Sequence, residues 1–407
     1  MMIGYKPIVE VERADVLDAL RGFALLGIFV SHVPDFSGYT FMSEAGRAAV
    51  DRHGLDGLLD PTLHFLIQGK FFSLFSLLFG IGFAVQLESA LRSGRHFASH
   101  FARRLSILLL IGAAHALIWY GDILKDYALI GLLLIVTARW SASATGIAAG
   151  MVLLGRALWP MLMWHLLAPT AMAPTATTPA ADFAALTQTF AGNDPAQMFA
   201  ANLDLLRLKA LQIIYDGKAI SILAMFLLGA YIGKRRIYRD LARHTALFRR
   251  VFVVCAPIGI VGNAQLVSLA ASTPAYPPSE AWVVEQMLAA FAVPAMTLAY
   301  AASFALLWTR FDGAFLRALA PTGRMALTTY VSQTLIGVTT FYGIGYALHG
   351  TLSLAECVLF ALAVFAAQCA ISTLWFRFFR FGPIEWLWRR ATYGTRLPML
   401  KRQQALA

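Results

Sequence analysis

The sequence predicts an all-α, polytopic membrane protein of about ten transmembrane helices with both termini in the cytoplasm. Three observations predict it. Hydrophobic residues fill 59% of the 407 positions and charged residues only 14%, against about 25% charged in a soluble domain. The apolar residues gather into runs near the ~20 residues that cross a bilayer. The lysines and arginines gather between those runs, as topology signals do. That placement also accounts for the net charge of +11, so membrane lipid is the expected partner and nucleic acid is not.

The runs fall at 17–34, 70–88, 104–120, 125–139, 144–166, 213–233, 249–270, 283–308, 325–347 and 353–377. The first lies within ADVLDALRGFALLGIFVSHVPD at 14–35. Asp18 and Arg21 stand at its front, spaced to pair on one helix face, and Ser31-His32 near its back. A charge in hydrocarbon costs roughly 2.5–3.5 kcal/mol or more, so such groups face a partner or a wet cavity. A structural ion pair with a snorkelling arginine is the other reading. The second run begins at Lys70, against the positive-inside trend; this lysine is placed to pair with Asp122, to hold an anionic head group or to snorkel. The same run contains GIGFA at 80–84, inside an apolar helix and without the strand–turn–helix context of a phosphate loop. The third carries His115 and leads into the turn at Tyr120-Gly121-Asp122. The fourth is short and flanked by Lys125, Asp126 and Arg139. Tyr330, Ser332 and Gln333 in the ninth and Gln368 in the tenth are ordinary interhelical hydrogen-bonding residues.

Basic residues mark one side. Arg92, Arg95, Arg103 and Arg104 precede the third run, Lys234 to Arg250 the seventh, Arg310, Arg317 and Arg324 the ninth, and Arg377 to Arg402 follow the tenth. With ten spans all four segments face the cytoplasm. The organisation is then an N-terminal transmembrane part at 1–166, an extracytoplasmic loop at 167–212 and a C-terminal transmembrane part with a cytoplasmic tail at 213–407. Within that loop APTAMAPTATTPAA, at 168–181, predicts irregular chain. Beyond it Phe199, Leu203, Leu206 and Ala210 repeat at helical spacing and predict an interfacial amphipathic helix, a cavity cap or inert packing. Cys255, Cys357 and Cys369 lie in apolar surroundings with no metal-ligand spacing, so they predict packing and no metal. The first apolar run has no basic leader or small-residue cleavage site, so it is expected to stay in the protein.

Several blocks carry a resemblance: LDALRGFALLGIF at 17–29, GKFFSLFSLLFGIGFAVQ at 69–86, RRLSILLLIGAAHALIWYGDILKDYALIGLLLI at 103–135, FLLGAYIGKRR at 226–236, GRMALTTYVSQTLI at 323–336 and GPIEWLWRRATYG at 382–394. In this order they resemble the YeiB-like bacterial inner-membrane proteins, the domain-of-unknown-function 418 family. Where that family commonly has Val-Asn after the first run this chain has Ser31-His32, and Thr329-Tyr330 stands where Asn-Tyr is common. The family is distantly similar to membrane acyltransferases such as heparan-α-glucosaminide N-acetyltransferase, which share the opening "D..RG", here Asp18, Arg21 and Gly22. The resemblance implies a multi-pass protein of the bacterial inner membrane. It implies an acyl group moved from cytoplasmic acetyl-CoA or another acyl-CoA, the co-substrate, to an envelope-facing small-molecule or glycan acceptor.

Acyl transfer needs a general base or a nucleophile, and donors for the developing oxyanion. Histidine titrates near neutrality. His32, His64, His115 and Asp122 all fall in the outer half of the early helices, and together they form the candidate catalytic set. Asp18, Arg21 and Lys70 are candidate organising residues. Arg103, Arg104 and Arg324 are candidates for the donor's phosphates, since guanidinium binds phosphate in a bidentate manner; topology alone also explains them. Packing or snorkelling explains each histidine singly. A transporter or flippase of a small amphiphile uses the same intramembrane charges, and a non-catalytic structural protein needs them only for packing. The sequence admits a homo-oligomer.

Overall fold

The computed structural model describes residues 15–94, 96–171, 179–270, 279–394 and 397–401. Sixteen α-helices fill these stretches: α1 (Asp15–Phe36), α2 (Glu44–Val50), α3 (Asp56–Leu66), α4 (Lys70–Arg92), α5 (Phe97–Ile118), α6 (Leu124–Leu133), α7 (Ala142–Ala171), α8 (Pro179–Ala191), α9 (Pro195–Tyr215), α10 (Lys218–Lys234), α11 (Thr245–Ala270), α12 (Glu280–Arg310), α13 (Ala320–Arg324), α14 (Ala326–Phe341), α15 (Leu354–Phe378) and α16 (Pro383–Tyr393). No strand occurs among the described residues beyond an isolated bridge between Phe379 and Leu400.

Each predicted run is helical, but the lengths divide them. Seven helical segments are long and apolar enough to cross a membrane, or eight if α9 and α10, bent by 63° at their junction, make one broken span. The two remaining runs are short. The run at 125–139 is the 10-residue α6 followed by six residues of 3₁₀-helix. The run at 325–347 is the 16-residue α14, which ends at Phe341. The predicted count of ten therefore counts two elements shorter than the ~20 residues that span a bilayer.

α1 is the centre of the bundle, packed against α4, α12, α13, α14 and α15. Its apolar residues are buried along its length, from Val16 to Phe36. Small residues let backbones approach, as membrane helices favour. A Cβ on Gly22 would collide with the Leu319 carbonyl oxygen, and one on Gly323 with that of Asp18, which draws α13 against α1. Gly80 of the GIGFA stretch meets the Phe226 carbonyl in the same way and Gly229 that of Leu77, so these glycines serve the α4–α10 crossing.

Polar side chains close helix ends. Lys234 Nζ donates to the carbonyls of Thr137 at 2.7 Å and Trp140 at 2.9 Å, which ties the end of α10 to the end of the 3₁₀ segment. Buried Arg156 links α7 to Ser221 of α10 at 3.1 Å and to the Gln286 side chain of α12 at 2.9 Å.

The segment at 167–212 is more ordered than its composition suggests. The stretch at 168–181 is helical at both edges, and its residues 172–178 lie outside the described residues, as do Arg95, Arg396 and Arg402. In α9 the buried stripe is Met198, Asn202 and Leu205, one position off the predicted one, and Phe199 is exposed. The reason is polar: Asn202 Nδ2 donates to the carbonyls of Ala116 at 2.9 Å and Leu117 at 3.2 Å, which the end of α5 leaves unpaired.

Candidate functional site

α5 ends at Ile118, Trp119 is extended, and the turn through Tyr120-Gly121 folds Asp122 back onto the helix it has just left. Gly121 is required because the Trp119 ring occupies the space of a Cβ there. Asp122 is held at both oxygens. Oδ1 accepts from the Lys125 backbone N–H at 2.9 Å, which anchors the start of α6, and Oδ2 lies 2.6 Å from His115 Nδ1. The other imidazole nitrogen, Nε2, lies 2.8 Å from Thr334 Oγ1 of α14. All three side chains are buried.

An ionised carboxylate only accepts hydrogen bonds, so it holds the proton of a neutral imidazole on Nδ1 and leaves Nε2 to accept from the Thr334 hydroxyl. The row carboxylate–imidazole–hydroxyl is the arrangement that activates a hydroxyl toward a carbonyl carbon.

His32 completes the cluster. Tyr330, one turn before Thr334, lies between the two imidazoles, with ring centroids 5.1 Å from His115 and 6.2 Å from His32. The His32 ring meets Trp119 edge-on at 4.7 Å. His115, Asp122, Thr334 and Tyr330 are closed off, whereas His32 and Asp35, one turn further along α1, keep part of their surface open. Lys209 of α9 and Lys218 of α10 lie within electrostatic reach of both. The Lys218 ammonium sits 4.8 Å from the centre of the Phe72 ring. Lys218, just past the break between α9 and α10, and Lys209 within α9 thus both lie near His32.

The structure separates the other candidates from this cluster. His64 stays on α3 and takes no part; its backbone carbonyl accepts from Lys70 Nζ at 2.7 Å. Lys70 is therefore committed to that carbonyl, correcting the expected pairing with Asp122, whose carboxylate is taken by His115. Asp18 and Arg21 pair at 2.6 Å as their spacing predicts. They sit 11 to 14 residues from His32, or roughly 17–21 Å along the helix axis.

Arg103, Arg104 and Arg324, the candidates for the donor's phosphates, have different surroundings. Arg103 is exposed. The Arg104 guanidinium lies 3.6 Å over the Trp388 ring, and Arg324 lies 4.4 Å over Phe376 and donates to the Arg380 carbonyl at 3.3 Å. Two of the three thus serve to seat α16 and the end of α15. Among the described residues no group of three or more His, Cys, Asp or Glu is placed to hold a metal ion.

Sequence reasoning missed Thr334. Its one signal was the four-residue spacing from Tyr330, which puts both on one helix face. Trp119 carried no signal, since its part depends on the turn that follows it.

The family described as "Protein of unknown function (DUF418)" matches residues 232–395. The chain is 31% identical to the uncharacterized protein YxaH of Bacillus subtilis (strain 168), covering 98% of this chain and 99% of the relative. It is 29% identical to the uncharacterized protein YeiB of Escherichia coli (strain K12), covering 96% and 99%. It is 26% identical to the uncharacterized 39.9 kDa protein in the amylase 3'region of Bacillus acidopullulyticus, covering 98% and 99%. No solved structure matches the chain.

Proposed function

Because the chain belongs to the DUF418 family, matching its relatives over nearly their whole length, we propose that it is an acyltransferase of the bacterial inner membrane that moves an acyl group from acyl-CoA to an envelope-facing sugar or other small acceptor. The observation that carries this reading is the buried row Asp122–His115–Thr334 beside the partly open His32. In it Asp122 orients the imidazole and stabilises its protonated form. His115 Nε2 receives a proton either from Thr334 Oγ1 as that oxygen attacks the acyl carbonyl, or from an acceptor that takes the hydroxyl's place; the C–S bond to CoA then breaks and His115 returns the proton to the departing thiolate, and in the first route the acceptor next takes the acyl group from Thr334, whose oxygen regains a proton. His32 stands where an acceptor enters. The burial of the row excludes water, which limits hydrolysis of the acyl group.

The test is release of CoA thiol by detergent-purified protein given acyl-CoA and a panel of envelope sugars. His115→Ala and Asp122→Asn are each expected to lower turnover about 10²- to 10⁴-fold, the range of general-base catalysis. Gel filtration would show the variants still folded. Turnover unchanged in both variants, or none from folded wild-type protein, would sink the reading.

One observation favours a second reading, transport of a small amphiphile. The α9–α10 pair is a broken helix with Lys218 just past its break, and discontinuous helices recur at transporter binding sites. Solute uptake into proteoliposomes that survives His115→Ala would favour it.

A further inference from the structure

α5 runs into two aromatic residues whose polar atoms are left over. Trp119 is 0% exposed and Tyr120 2% exposed. Neither Trp119 Nε1 nor the Tyr120 hydroxyl has a hydrogen-bond partner among the described residues. Buried polar groups are nearly always paired, because each gives up its bonds to water on burial. A third such atom lies at the same helix end. Asn202 uses its amide nitrogen on the Ala116 and Leu117 carbonyls, and its Oδ1 is unpaired. An N–H, a hydroxyl and an amide oxygen left over together point to a ligand that both accepts and donates hydrogen bonds.

These atoms border the partly open end of α1. The Trp119 ring meets His32 at 4.7 Å and Phe36 at 4.3 Å, and its benzo edge fills the space beside Gly121. Those contacts hold the ring without using its N–H. The Tyr120 ring lies 5.7 Å from Trp119 and 6.3 Å from Phe41, centre to centre. Tyr120 is within electrostatic reach of the Asp35 carboxylate, yet its hydroxyl makes no hydrogen bond to it. Asp35 takes a side-chain hydrogen bond from Thr40, and Lys209 and Lys218 lie near enough to offset its charge. A carboxylate accepts several hydrogen bonds, and Asp35 keeps part of its surface open.

The chemistry of these groups narrows the ligand. Phosphate carries acceptors and offers little to Asp35 or Asn202 Oδ1. An ammonium group carries donors and offers nothing to the Trp119 N–H. An alkyl chain offers neither. The hydroxyls of a sugar do both, and its C–H faces pack on aromatic rings. We propose that Trp119, Tyr120 and Asp35 bind a sugar ring, whose oxygens accept from Trp119 Nε1–H and the Tyr120 hydroxyl and whose hydroxyls donate to Asp35. On the transferase reading, on which this role rests, that sugar is the acceptor, held beside His32.

Saturation-transfer NMR on the purified full chain tests it, with glucose and N-acetylglucosamine as probes and a detergent whose head group is not a sugar. Saturable transfer to at least one probe is expected, with affinity weakened about fivefold or more by Tyr120→Phe, Trp119→Phe and Asp35→Asn. Tyr120→Phe removes an unpaired buried hydroxyl, so its sugar-free thermal melt should match or exceed that of wild type. A lower melt with unchanged sugar binding would give the hydroxyl a structural role and overturn the proposal. So would the absence of saturable transfer to both probes, or binding unchanged in all three variants. Displacement of the bound sugar by inorganic phosphate or by phosphatidylglycerol vesicles as effectively as by excess sugar would also overturn it, in favour of an anion or a lipid head group. Sugar binding by folded protein that releases no CoA thiol would refute the transferase reading and leave the site standing. CoA-thiol release with an unchanged KM for the sugar in all three variants would do the reverse.

Discussion

His349 shows how much one buried imidazole can cost. It lies in the connection between α14 and α15, 5% exposed, against Phe190 and Tyr342. Neither ring nitrogen has a hydrogen-bond partner among the described residues. Burial lowers its pKa to about 4. The unfolded chain takes up a proton near the ordinary value of about 6.5, so between those values the unfolded state binds the extra proton. Stability from this group is complete above about pH 6.5 and falls as the pH drops toward 4. The loss levels off below that, at roughly 3 kcal/mol. Thermal melts from pH 7 to 4 should show a steeper acid loss for wild type than for His349→Phe; parallel curves would refute this. His115 is the opposite case, also buried but held at both ring nitrogens by Asp122 and Thr334. The sequence singles out His115 as a candidate catalytic residue. Which of the two histidines has partners depends on side chains seven and 219 positions away from His115.

At the scale of elements, the block GPIEWLWRRATYG forms α16, which ties two other helices together. Glu385 accepts from the backbone N–H groups of Leu327 at 2.6 Å and Thr328 at 3.0 Å and from the Thr328 hydroxyl at 2.6 Å. It thereby caps α14 from another helix, and burial pushes its carboxyl pKa upward against those bonds. Trp388 Nε1 donates to the Arg104 carbonyl at 2.9 Å, so α16 ties α5 to α14, the two helices that supply His115 and Thr334. Glu385→Ala should remove the cap at a cost of about 1–3 kcal/mol. Faster amide exchange confined to 326–330 and α16 is the expected readout, and unchanged exchange there would refute the tie. The same kind of distant partner shifted the face of α9: Asn202 turns inward to cap α5, which the spacing of apolar residues in α9 could not register.

For the whole molecule, the contacts gather residues of the four basic segments at one end. Arg92, Arg236 and Arg239 meet on Glu88, Arg324 reaches Arg380, and Arg104 packs on Trp388. We therefore expect cysteines introduced at Arg103, Arg235 and Arg317 to react with impermeant reagent only from the cytoplasmic side. A cysteine at Asp204 should react only from outside. Labelling of the first three from opposite sides would rule out this topology. The short α6 and α14 bear on the same question, since a helix of 10 or 16 residues reaches only partway through ~30 Å of hydrocarbon.

The sequence by itself determined the helical, membrane-embedded class, the position of each apolar run, the Asp18–Arg21 pair and the candidates His32, His115 and Asp122. These follow from local composition and spacing, because bilayer thickness and helical pitch act on neighbouring residues. Only the tertiary structure decided that Asp122 turns back onto His115, that Thr334 takes the other ring nitrogen, that Lys70 and His64 stand apart, and that Arg104 and Arg324 pack on aromatic rings. Those outcomes depend on which helices lie side by side, and a buried polar group is satisfied by whatever the fold brings within about 3 Å of it.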